Sequence, residues 1–177
     1  MNIDSLENLL IGEMQELIEV ERQLARLLPE MADAAFSTKL QEALHSHAAQ
    51  TEEHVRRLNR AFHVLNVPGN ARHSPTMTGL AEEARALAGA KDHADLAVLD
   101  AALIVAAQKM AHFAMAAYGS ARTFADILGA TEVSGLLQEN LDDETDANRL
   151  LNELARQEVN ADAVEADKDI EAQSEKR

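Results

Sequence analysis

The chain has 177 residues, 46% of them hydrophobic, with 3 Pro, 7 Gly, 4 Phe and 1 Tyr; that length suits one domain with a well-buried core, and the wealth of Ala, Leu and Glu points to an all-helical protein. The formal charge of -15 argues against nucleic acid and membrane partners, because binding phosphate needs clustered Lys and Arg. With no cysteine there can be no disulfide, thiolate catalysis, zinc–thiolate site or iron–sulfur cluster, so any metal must sit on oxygen and nitrogen.

The N-terminal MNIDSLENLL lacks a basic region and a cleavage pattern. The longest unbroken apolar run, Ala101 to Ala107, is far shorter than the roughly 20 residues of a membrane span. The expectation is a soluble, cytoplasmic protein.

Asp4 followed by Glu7 reads as a capping box that opens a first helix over about residues 4–33. Its inward stripe is Leu6, Leu10, Glu13, Leu17, Glu21, Leu24 and Leu28. Pro29 should bend or end it. Ser37 is the expected N-cap of a second helix reaching about Leu65, with the stripe Leu40, Leu44, His47, Thr51, His54, Leu58, Phe62 and Leu65. The short link between these helices implies antiparallel packing.

NVPGNARHSPT, residues 66–76, is a dense run of turn formers, and a short helix over about residues 77–88 follows. The whole connection is long enough to run back along a helix of about 45 Å. It permits a crossover with the second and third long helices parallel, although an all-antiparallel arrangement also fits the pattern.

The third long helix carries the most continuous seam: Leu99, Leu103, Ala107, Met110, Ala114, Ala117, Ala121, Phe124 and Leu128. Gly129 suits its C′ position. Thr131 is expected to cap a fourth helix to about Gln157, with the stripe Val133, Leu137, Asn140, Glu144, Ala147, Leu151 and Leu154. Residues 139–177 hold 13 of the 31 acidic residues against 5 basic ones, which reads as a solvated helix face and tail. The expected organisation is a helical bundle over residues 1–158 and an acidic C-terminal tail, frayed or disordered, over residues 159–177.

Placed on helices, VERQLARLLPEM, HSHAAQTEEHVRRL, DAALIVAAQKMAHFAMAAYG and LLQENLDDETDANRLL together resemble the small bacterial ferritin-like proteins of the YciE/YciF type over about residues 5–155. The resemblance implies a ferritin-like four-helix bundle with a long crossover containing a short extra helix, a homodimer, and a link to bacterial stress responses. It also implies inward carboxylates from Glu21, the position of Gln50, Ala111 and Ala114, and Glu144, with His47 matching a histidine of the family. Here two of the third-helix positions are alanine and one second-helix position is glutamine.

A dinuclear site needs about four carboxylates and two imidazoles. The stripes offer Glu21, His47 and Glu144 as candidate ligands, with Gln50 and His54 as flanking candidates on the same face of the second helix. Two readings remain open. The favoured one is a structural or protective protein with a reduced or lost metal site, in which a protonated His47 bridges Glu21 and Glu144. Its rival is an iron- or manganese-dependent oxidoreductase acting on peroxide or oxygen, or as a ferroxidase. Tyr118 is expected to pack with its hydroxyl at the rim, Asp142 and Asp143 to be solvated, and His45, His63, His73, His93 and His112 to lie off the site.

Overall fold

The computed structural model describes residues 4–164, and among them every regular element is helical. In chain order these are α1 (Leu6–Ala34), α2 (Thr38–Val64), α3 (Pro75–Ala88), α4 (Leu96–Ile127) and α5 (Thr131–Leu154), then a π-helical turn at Ala155–Val159. The expected second half of the tail, residues 165–177, lies outside the described residues.

The helix ends show how local chemistry sets the boundaries. Ser5, not Asp4, caps α1 by accepting from the Asn8 amide, and the Asp4 carboxylate accepts from the Asn8 side chain instead. α1 also runs through Pro29 to Ala34. Proline removes one backbone donor there, but Leu27, Leu28, Met31 and Ala32 are buried on either side and hold the helix in place. Ser37 caps α2 as expected. α3 begins two residues before the expected start, because Ser74 caps it and Pro75 takes the first helical position, where its missing N–H costs nothing.

Gly129, with φ 74°, ends α4. Its amide donates to the Asp126 carbonyl and the next amide, of Ala130, donates to the Ala125 carbonyl, a Schellman arrangement. Thr131 is not a cap: it is the first residue of α5, and Ala130 holds the cap position without a side-chain acceptor. α5 ends at Leu154, and the chain continues through the π turn into helix up to residue 164, with Val159 buried.

The four long helices close into a ring: α1 packs on α2, α2 on α5, α5 on α4 and α4 on α1. Three-residue links join α1 to α2 and α4 to α5, so each pair doubles back. Arg60 reaches Glu132, His47 reaches Glu144 and Lys39 reaches Glu158, so α2 and α5 are antiparallel. Asp100, near the start of α4, accepts from the amides of Phe36 and Ser37 just beyond α1, which makes α1 and α4 antiparallel as well. α2 and α4 therefore run the same way, and the chain between them has to return along the whole length of the ring.

That return runs beside α1. Arg72 donates to the Gly12 carbonyl near one end, Lys91 donates to the Asp33 carbonyl at the other, and α3 packs on α1 and α4 between them. By length and composition α4 alone among the described residues could cross a membrane. Its apolarity has another outlet here, since it packs on α1, α3 and α5 with Leu103, Met110, Ala114 and Tyr118 fully buried.

Candidate metal centre

Each long helix turns polar atoms inward at mid-length. Glu21 from α1, His54 from α2 and Glu144 from α5 are wholly buried, His47 from α2 is 3% exposed, and α4 contributes Tyr118. The spacing explains the convergence: His47 and His54 are seven residues apart, Asn140 and Glu144 four, so each pair shares a helix face.

His54 is the hub. Its Nδ1 lies 3.2 Å from Glu21 Oε2 and 3.6 Å from Glu144 Oε1. Its Nε2 faces outward, 3.4 Å from Asp143 Oδ2. His47 Nε2 lies 3.1 Å from Glu144 Oε1. The expected bridge by His47 is thus made by His54 instead, because His54 sits level with Glu21 while His47 lies two helical turns away on the side of Glu144.

Tyr118 corrects a second expectation. Its ring and hydroxyl are entirely buried, and the hydroxyl donates to Glu21 Oε1 at 2.6 Å while accepting from Asn140 Nδ2 at 3.1 Å. Asn140 also donates to the His54 carbonyl and accepts from Arg57. Asp143, expected in solvent, is partly buried and paired with Arg57 at 2.7 Å over the outer edge of His54. Asp142 is exposed and accepts from Gln138, as a solvated carboxylate should. His45, His63, His73, His93 and His112 are exposed.

The electrostatics follow from burial and pairing. Burial raises the Glu21 carboxyl, and contact with His54 offsets only part of this. Burial pulls both imidazoles down, but Glu144 overrides it at His47 and Glu21 overrides it at His54, so both sit above their ordinary value. Burial and the Glu21 carboxylate push the Tyr118 phenol well above its ordinary value, which keeps its proton on oxygen.

Three buried polar atoms in this cluster have no hydrogen-bond partner among the described residues: Glu144 Oε2, His54 Nε2 and His47 Nδ1. Glu21, His54 and Glu144 each offer a donor atom, all within 4.8 Å of one another. Ligands about 2.1 Å from one divalent ion lie about 3 to 3.5 Å apart, so modest side-chain rotation would gather these donors around a single ion. Two carboxylates and an imidazole also match the preference of Fe²⁺, Mn²⁺ or Zn²⁺ for oxygen and nitrogen. Among the described residues no second such group is found. Ala111 and Ala114 are buried on α4 and offer no donor atom, and Gln50 is outside the cluster, on the wall of a pocket between α2 and α5.

His54, expected only to flank the site, stands at its centre, and Tyr118 was not expected there at all. The signal for Tyr118 was its place seven residues on from Ala111 and four on from Ala114, at helical spacing along the same buried face.

A family model described as a domain of unknown function (DUF892) matches residues 5–164. The chain belongs to that family. It is 33% identical to the Escherichia coli (strain K12) protein YciF over 164 residues, covering 92% of this chain and 98% of that one. The solved E. coli stress protein YciF superposes with a TM-score of 0.85 at 32% identity, over 89% of this chain and 99% of that chain. YcfI of Rhodopseudomonas palustris, to which a structural role is provisionally given, superposes with a TM-score of 0.81 at 32% identity, over 85% of this chain and 95% of that one.

Proposed function

We propose that this protein is a stress-associated, ferritin-like helical protein with a mainly structural and protective role, holding one divalent metal ion, iron or manganese, between Glu21, His54 and Glu144. The stress association rests on the likeness to the E. coli stress protein, and the structural role on the likeness to YcfI. The metal rests on one observation: three buried donor residues from three helices converge while a carboxylate oxygen among them, Glu144 Oε2, lacks any partner. Bound there, the ion would supply a Lewis-acidic, redox-capable centre with positions left for small ligands. The chain itself supplies the rest. Glu21 is oriented by the Tyr118 hydroxyl, Glu144 by His47, and Asn140 ties Tyr118 to the backbone of α2.

A second reading is a metal-free network in which imidazolium protons join the carboxylates. It is favoured by the contacts already made to both oxygens of Glu21. Elemental mass spectrometry on untagged protein, loaded anaerobically with Fe²⁺ or Mn²⁺ and desalted, separates the two. About one equivalent per chain, lost in Glu21→Ala, supports the metal reading; about a tenth of an equivalent or less points to the network alone.

The homodimer belongs to the same proposal. Val98 and Val105 on α4 are 42% and 49% exposed, with Ala102 half-buried between them at helical spacing. A second copy laid against this small-residue strip would cover it.

A further inference from the structure

The cluster is sealed on most sides. On α1 Met14, Leu17, Ile18 and Leu24, and on α4 Met110, Ala111 and Ala114, have no exposed surface. Beyond His54, Arg57 spans Asp143, Glu139 and Glu53 and latches the outer edge. One direction differs. Between α2 and α5 a pocket of about 200 Å³ opens to the surface, with Ser46, Gln50, Asp146, Ala147 and Arg149 on its walls and His47 among its lining.

His47 therefore stands between this pocket and the core. Its Nε2 is engaged with Glu144, while Nδ1 is buried without a hydrogen-bond partner. On the pocket wall the charges of Asp146 and Arg149 balance, and Arg149 also pairs with Glu153 outside the lining. The attraction for cations comes from the charge of -15 on the chain as a whole, which raises their concentration at the surface around the pocket.

We propose that the α2–α5 pocket is the port through which a divalent cation reaches the core, with His47 as the relay that receives the ion and passes it to Glu144. This rests on the metal reading above and adds the route and the residue that governs it. An imidazole with one nitrogen on an inner carboxylate and the other free is suited to such a relay, because ring rotation exchanges the nitrogen that faces the pocket. Gln50, placed on the wall and not in the cluster, offers a neutral amide oxygen to a passing ion without trapping it.

The test is the rate of Co²⁺ uptake by stopped flow, read from Tyr118. The chain has one tyrosine and no tryptophan, and that tyrosine is hydrogen-bonded to Glu21, so quenching of its emission reports arrival at the core. Ala147→Phe narrows the port from α5 and Ser46→Phe from α2; either, checked for helix content by circular dichroism, is expected to slow uptake at least tenfold while final stoichiometry stays the same. Ala116→Phe, in the separate pocket between α1 and α4 lined by Glu13, Glu16 and Phe113, serves as the control and is expected to leave the rate unchanged. Uptake at the normal rate in whichever port variant folds, or slowing by Ala116→Phe alone, would overturn the port and leave the metal reading intact. Failure of the unmodified protein to bind Co²⁺ would overturn both.

Discussion

The Tyr118 hydroxyl on α4 donates to Glu21 Oε1 on α1 at 2.6 Å, inside a core where neither side chain has exposed surface. This bond joins α4, which brings no carboxylate or imidazole to the cluster, to the groups held there by the other three long helices. It also orients Glu21 so that the second oxygen faces His54. Tyr118→Phe keeps the ring and removes the bond, leaving Glu21 Oε1 and Asn140 Nδ2 each short of a partner. The expected cost is about 1–3 kcal/mol, the penalty for a buried group left unsatisfied, measured by urea denaturation of metal-free protein at fixed pH.

The stability of the metal-free protein should fall as pH rises. His47 and His54 are held above their ordinary value in the folded chain, so their contribution is complete below about pH 6.5 and disappears as pH climbs through the raised values. Glu21 acts in the same direction: its carboxyl is raised by burial, and ionising it above the ordinary glutamate range costs folded-state stability. Thermal melts in EDTA at pH 6 and pH 8.5 should show the higher midpoint at pH 6, with the difference reduced in His54→Gln. A higher midpoint at pH 8.5 would mean that the imidazoles are not the dominant titrating groups.

Metal binding should have the opposite pH dependence. An ion on His54 Nδ1 displaces the proton that position carries when the imidazole is charged, so affinity should strengthen roughly tenfold per pH unit for each proton released. Calorimetric titration of Mn²⁺ in two buffers of different ionisation enthalpy counts those protons directly. A heat independent of buffer at pH 6 would mean that binding displaces no imidazolium proton.

Asp100 has no part in the centre, yet it is 2% exposed, and its two oxygens accept from the Phe36 and Ser37 amides at 2.7 and 2.6 Å. It fixes the α1–α2 link against the start of α4. Asp100→Ala should cost about 1.5–3 kcal/mol, as expected for hydrogen bonds to a charged group, and Asp100→Asn should recover part of the loss. Denaturation midpoints of the three proteins provide the comparison.

Val105 lies on the outer face of α4 at 49% exposure. If two copies meet on that face, Val105→Glu places a charge in the contact and should convert the dimer to monomer by light scattering, with helix content unchanged. A monomeric unmodified protein, or a variant that remains dimeric, would remove α4 from the interface.

The helices were legible because their signal is local. A 3.6-residue repeat with Leu or Ala inward marks α1, α2, α4 and α5 in any context, and the turn formers around Pro68 and Pro75 and the glycine at 129 mark their interruptions. The ends were less legible. Ser5 and Asp4 both suit a cap and compete within one residue, and Pro29 breaks a helix only where neighbouring packing does not hold it. At the centre, Glu21, His47 and Glu144 could be named because a polar residue on an apolar stripe stands out. Tyr118 did not stand out, since an aromatic residue on a stripe looks like ordinary core.

The chain's own pattern determined that four amphipathic helices would form and that three of them would turn carboxylates or imidazoles inward, for side-chain direction along a helix depends only on spacing. Tertiary packing alone decided which of those groups meet. Glu21 and Tyr118 are 97 residues apart, as are His47 and Glu144, and their contact depends on how far each helix slides and rotates against its neighbours. Those offsets are set by the fit of whole apolar faces, and two helical turns along α2, about 10.5 Å, separate the imidazole that touches one carboxylate from the imidazole that lies between two.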